Sequence, residues 1–144
     1  MHHIVYLSQA KEPLTPPALV ALLRQARLLN ERQHVTGTLV YGNGQFMQLI
    51  EGEEAVIKAL YERIARDPRH HQVFKLADKP IAGRRFAEWS MAFGEAPAKE
   101  FQELQGLVGY MSQAQLRHQV ETSSAADGLL LDKMNRIVKA FKQP

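Results

Sequence analysis

The run Phe46-Met47-Gln48-Leu49-Ile50 is apolar at both parities and is interrupted only by the amide of Gln48. Successive side chains of a strand point to opposite faces, so Phe46 and Ile50 cover one face and Met47 and Leu49 the other. The N-terminal run His3–Ser8 behaves alike, with Ile4 and Tyr6 set against Val5 and Leu7. A sheet with one wet face alternates more cleanly, so this chain is expected to fold as a sheet with a layer on each side. Within such a core Gln48 is expensive, because an unpaired buried amide costs about 1–3 kcal/mol. It carries two donors and two acceptor sites, which trade places when the amide turns over. Such a group can hold a polar ligand or switch between two bonding patterns. Taken alone, it reads more simply as a strand-end residue or one paired with backbone.

The rest of the chain supplies the layers. After the first strand, Thr15-Pro16-Pro17 has the form of a helix N-cap followed by proline in the first turn. Leu19, Leu22, Leu23, Ala26 and Asn30 then fall on one helical face, which puts a second polar amide at the end of an apolar stripe. Strands are expected over Val35–Tyr41 and Gln45–Glu51, joined by the Asn43-Gly44 hairpin. Glu51-Gly52-Glu53-Glu54 reads as an acidic helix start, with Val56, Leu60 and Ile64 on the apolar face and Asp67-Pro68 as the stop. A fourth strand is expected over His71–Asp78 and a fifth over Phe86–Phe93, containing Trp89 and Met91. The order βαββαββ is that of an α+β ferredoxin-like sandwich with an added strand.

Beyond residue 95 the pattern turns helical. Phe101, Leu104 and Val108 suggest a short helix, Leu130, Met134, Ile137 and Phe141 a longer one, and Ser123–Gly128 a loop between them. The expected organisation is therefore a folded unit over 1–95 and a helical extension over 96–144 that covers the second sheet face.

Composition narrows the chemistry. The 144 residues are 45% hydrophobic and 23% charged, ordinary for a globular chain of one domain. With no cysteine, disulfides, thiol catalysis and cysteine-held metals are excluded, and a cytoplasmic setting is compatible. No apolar run approaches the ~20 residues of a membrane span. A formal net charge of +3, with Lys and Arg scattered apart from Arg84-Arg85, offers no basic stripe for nucleic acid. Arg84-Arg85 itself reads most simply as a solvated turn, with an anchoring role for Arg85 on strand five as the other option. His70-His71 would point to opposite faces of a strand, and His2-His3 sits at a fraying terminus, so no metal site is expected.

Tyr6, Asn30, Gln48, Trp89 and Met91 form the constellation of interest. Tyr6 and Gln48 share the parity of one sheet face, and a phenol and an amide make a chemically sensible buried pair if strands one and three are neighbours.

At these residues the chain resembles the BLUF family of flavin-using blue-light sensors. The resemblance rests on Val5-Tyr6-Leu7-Ser8, on Asn30 followed by Val35-Thr36-Gly37, and on the block Gln45–Gly52. It continues through Asp67-Pro68-Arg69-His70 and Arg85-Phe86-Ala87-Glu88-Trp89-Ser90-Met91. These stretches span residues 3 to about 93 in the family's order. The resemblance implies a flavin ring between the two helices, with FAD as the usual cofactor and FMN the other option. Tyr6 matches the redox-active tyrosine, Gln48 the amide whose hydrogen bonds rearrange, and Asn30 the side chain on the ring's polar edge. Arg69 and His70 match positions at the ribityl or phosphate end, and Trp89 and Met91 the strand-five pair that passes the signal on. Thr38, where an aliphatic residue is expected, and the apolar Leu28-Leu29 depart from the pattern, bearing on flavin affinity and tuning more than on the assignment.

The implied function is a photoreceptor module rather than an enzyme. With no effector region within 144 residues, output is expected through a downstream signalling protein or a homo-oligomer, by way of the C-terminal helices. Two other readings stand beside it. A flavin-free ferredoxin-like interaction module would share the fold and lack colour. An acylphosphatase-like hydrolase would need a phosphate-cradling loop with an arginine, whereas Gln9-Ala10-Lys11-Glu12-Pro13 has neither glycine nor arginine.

Overall fold

Strand β1 (His2–Ala10) runs antiparallel to β3 (Gln45–Gly52) on one side and to β4 (His70–Pro80) on the other. Strand β2 (Thr36–Gly42) pairs antiparallel with β3, and β5 (Ala92–Glu95) adds parallel to β2, giving the order β4-β1-β3-β2-β5. This is the expected ferredoxin-like arrangement with its extra strand. The computed structural model describes residues 1–116 and 120–140, without the side chains of 108–127.

Local chemistry explains the elements. Thr15 caps α1 (Pro16–Arg32) by accepting from the Ala18 amide, and prolines fill the first turn, where no N–H is needed. Asn43 and Gly44 both take positive φ, 52° and 74°, which is the geometry of a two-residue hairpin between β2 and β3. Helix α2 (Glu54–Ala65) buries Ile57 and Leu60.

The sheet divides two cores. On one face Ile4, Leu39, Phe46, Ile50 and Phe93 pack with Leu19 and Leu23 of α1 and Ile57 and Leu60 of α2. On the other, Val5, Val40, Met47 and Leu49 meet α3 (Ala98–Leu116) and α4 (Val120–Ala140) through Phe101, Leu104, Leu130, Met134 and Ile137. Helix α4 comes so close to β5 that a Cβ on Gly94 would stand 2.9 Å from the Val138 Cα.

Several expectations need correction. Strand five begins at Ala92, so Phe86–Met91 lie before it in an irregular segment. The cause is bonding: the Trp89 amide turns back to Phe86 O, and Gly37 N–H reaches Trp89 O, rather than entering a continuous ladder. Ser123–Gly128 belong to α4 and not to a loop. Ala125-Ala126 favour helix, and small polar residues are well tolerated near a helix start. His2 and His3 are buried in β1 rather than frayed, with His2 Nε2 2.5 Å from Asp78 Oδ1. Phe141 lies outside the described residues, as does the Val108 side chain.

Candidate functional site

Tyr6 and Gln48 stand directly opposite one another in the β1–β3 register. Both are buried, and the Tyr6 hydroxyl donates to Gln48 Oε1. With its oxygen held there, the Gln48 amide nitrogen turns to the Met91 sulfur, 3.4 Å away. A thioether is a weak acceptor, so one half of this amide is strongly bonded and the other loosely. Burial pushes the Tyr6 hydroxyl pKa well above that of an ordinary phenol, with the neighbouring Tyr61 and the Asp67 carboxylate adding to the effect. Tyr6 is therefore a neutral phenol with its proton directed at one acceptor.

Helix α1 holds the far side of the site. Asn30 is buried and donates through Nδ2 to Ser90 O at 2.8 Å, while Arg27 Nε donates to Met91 O at 3.0 Å. The cap of α1 is Gln33, so Asn30 is not itself the helix terminus. Met91 packs in the core of the α1–α2 face, whereas Trp89 packs against the core beneath α3 and α4. In a regular strand residues 89 and 91 would share a face. The irregular backbone instead sends them to opposite cores.

Between α1 and α2 opens a cavity of about 280 Å³. Leu22, Leu23, Leu60 and Ile64 give it aliphatic walls, and Tyr6, Asn30 and Gln48 place polar atoms along its inner side. The volume lies near the lower end of the ~300–1,000 Å³ usual for small-molecule sites. It suits a flat, largely apolar ring system with one polar edge, which is the chemistry of a flavin ring.

Arg69 and His70 also line this cavity, with different roles. The Arg69 guanidinium forks onto Asp67, Nε to Oδ1 at 2.9 Å and Nη2 to Oδ2 at 2.5 Å, near the cavity mouth. That pairing lowers the Asp67 carboxyl pKa and raises that of Arg69. His70 is buried, with Nδ1 2.8 Å from Ser8 Oγ and Nε2 2.5 Å from Ile64 O. Its ring nitrogens tie β4 to β1 and α2.

Residues 1–92 match the family model of BLUF, sensors of blue-light using FAD. The chain belongs to the BLUF family. It is 39% identical over 89 residues to the photoactivated adenylate cyclase subunit beta of Euglena longa, a match covering 61% of this chain and 10% of that protein. The chain thus spans about a tenth of the length of that curated relative. Among solved structures it resembles Klebsiella pneumoniae BlrP1 with FMN and cyclic diGMP, at a TM-score of 0.61 and 33% identity, over 65% of this chain and 25% of that one. The BLUF protein BlrB in its dark state matches over 91% of this chain and 96% of its own, with a TM-score of 0.64 and 27% identity.

Three residues that brace the surroundings of the BLUF cavity escaped sequence reasoning. Arg27 sits on the helix as an ordinary polar position, with no signal that it reaches Met91. Arg84 is no solvated turn residue: it donates to Thr36 Oγ1 at 2.8 Å, to Glu51 O at 3.2 Å and to His34 O at 2.6 Å. Glu51, read as the start of an acidic helix N-terminus, is instead a fully buried carboxylate at the end of β3. Its parity with Met47 and Leu49 is the signal that could have found it.

Proposed function

We propose that this chain is a blue-light switch in which Tyr6 and Gln48 carry the photochemistry and Met91 reports it. The Tyr6–Gln48–Met91 chain of bonds beside the cavity is the observation that carries the reading. Bound flavin, FAD or FMN, supplies blue-light absorption and, once excited, the capacity to accept an electron. Asn30 and Gln48 are the amides that would hold the polar edge of the ring, and Arg69 and His70 would meet its ribityl or phosphate end, a reading supported by their place in the cavity lining.

Tyr6 is the electron donor of this reading. Losing an electron makes a phenol strongly acidic, and its proton already points at Gln48 Oε1. Once that proton has followed the electron to the bound ring, Tyr6 no longer donates and the amide has no reason to keep its orientation. Turning the amide exchanges donor and acceptor, so the Met91 sulfur loses its N–H partner. Because Arg27 and Asn30 bond the backbone at 90–91, the change is delivered to the segment that leads to β5 and carries Trp89 on the opposite core.

In this reading residues 1–95 sense light and 96–144 pass the state on, to a partner protein or a second copy. The unit switches; it turns over no substrate. The relative named photoactivated adenylate cyclase subunit beta, matched over 10% of its length, supports a reading in which such a unit works with a separate activity.

An absorption spectrum of purified protein, before and after blue light, tests the proposal. A flavin band that shifts slightly red and recovers in darkness is the expected result. A band that only bleaches would point to redox chemistry without the Tyr6–Gln48 switch. No band, after reconstitution with FAD has failed, would leave a flavin-free interaction module.

A further inference from the structure

Glu51 lies on the face of the sheet away from the cavity, yet its carboxylate holds the beginning of the segment that ends at Met91. Oε1 accepts from the Phe86 amide at 2.7 Å and from Thr36 Oγ1 at 2.9 Å, and Oε2 accepts from the Arg85 amide at 2.9 Å. Arg84 closes the cluster over Thr36 and the Glu51 carbonyl. The carboxylate is fully buried, so these donors take the place of water around it. A surface strand end has no need of a buried carboxylate. One that binds two consecutive backbone amides is suited to fixing a piece of chain that no ladder fixes.

The segment 84–91 is such a piece. Its far end is held by α1, through Asn30 to Ser90 O and Arg27 to Met91 O. Its middle is held at Trp89 O by Gly37 N–H, 3.1 Å away. Its near end is held by Glu51. Between these ties, one residue faces the Gln48 amide and another faces the core under α3 and α4.

We propose that Glu51 is a positioning residue of the light switch: by anchoring the Arg85 and Phe86 amides it sets the backbone that keeps Met91 against Gln48. This rests on the switch reading above. Glu51 touches neither cavity nor ligand, and acts through the segment alone. Thr36 and Arg84 complete the anchor by occupying the remaining sides of the carboxylate and of the β3 end.

The test compares the full chain with Glu51→Gln. The amide must turn an NH2 toward a backbone N–H, so at least one anchoring bond is lost. In the dark, hydrogen exchange at residues 85–86 should quicken about tenfold, the size of one charge-assisted bond, and exchange at 89–91 should rise with it. Flavin uptake should stay close to that of the parent, while dark recovery of the red-shifted band slows about threefold or more. Faster exchange confined to 85–86, with 89–91 and the photocycle unmoved, would make Glu51 merely structural and overturn the proposal. Should Glu51→Gln fail to fold, Thr36→Val, which removes one donor to the same carboxylate and leaves both amide bonds, should move exchange at 85–86 and 89–91 and the dark recovery in the same direction by about threefold, with the same refutation. A parent protein with no light-induced shift would sink the switch reading itself, whereas the dark exchange comparison would still decide the anchor.

Discussion

Gln48 donates to the Met91 sulfur at 3.4 Å, and that contact joins the amide beside the cavity to the segment leading to β5. Met91→Leu removes the acceptor and nearly conserves volume, so the core should tolerate it. A neutral hydrogen bond is worth about 1 kcal/mol, or about fivefold in a rate. The bond must re-form on return to the dark arrangement, so dark recovery is expected to slow by up to about fivefold with flavin uptake unchanged. Flash-induced absorption followed in darkness measures this directly. An unaltered recovery rate would show that the sulfur carries none of the switch.

Gln48→Leu should retain flavin and lose the red shift. It deletes both donors and both acceptors while keeping an apolar side chain of similar size on β3. It also leaves the Tyr6 hydroxyl without its acceptor in a buried site, so thermal stability should fall by about 1–3 kcal/mol. Tyr6→Phe makes the complementary change, stranding Gln48 Oε1 instead, and should likewise lose the normal photocycle. A persisting shift in either variant, read in a simple light-minus-dark spectrum, would remove that residue from the mechanism.

The light response should be flat with pH until strongly alkaline conditions. Tyr6 is pushed up from the ordinary phenol value of 10.0, chiefly by burial, so it stays neutral wherever a free tyrosine does. A folded-state pKa raised above the unfolded one contributes stability that is fully present below about pH 10 and declines as pH rises further, because the unfolded chain ionises first. The amplitude of the red shift between pH 6 and 9 should therefore be constant, and the melting temperature of the parent should fall relative to that of Tyr6→Phe only above about pH 10. A titration of the shift near neutrality would assign it to another group.

Most of the fold could be read from period-two strands, the Thr15-Pro16 helix start and the Asn43-Gly44 turn, because each signal is local. Tyr6 and Gln48 could be paired once strands one and three were made neighbours. The segment before β5 could not. Phe86, Trp89 and Met91 have strand-like composition, and what keeps them out of the ladder is a set of partners distant in sequence: Glu51, Asn30 and Arg27. Hydrogen bonds of that kind leave no periodic trace. For the same reason the opposite facing of Trp89 and Met91 was invisible to parity, which assumes a regular strand.

Output should run through Arg85 and Asp132. Arg85 gives its backbone amide to Glu51 and pairs its guanidinium with Asp132 on α4, so one residue joins the anchored segment to the C-terminal helix. A second link lies where α4 packs on the bare backbone of Gly94, too close for any side chain to intervene. The ion pair is largely exposed, and exposed pairs contribute only about 0–1 kcal/mol, so Asp132→Asn should scarcely move the melting temperature. It should leave flavin uptake and the red shift as they are, because neither Tyr6 nor Gln48 is touched. The expected loss is selective: hydrogen exchange along α4, different in light and darkness for the parent, should respond less in the variant. An undiminished response of α4 would put the whole burden of coupling on the Gly94 contact and the Trp89 core.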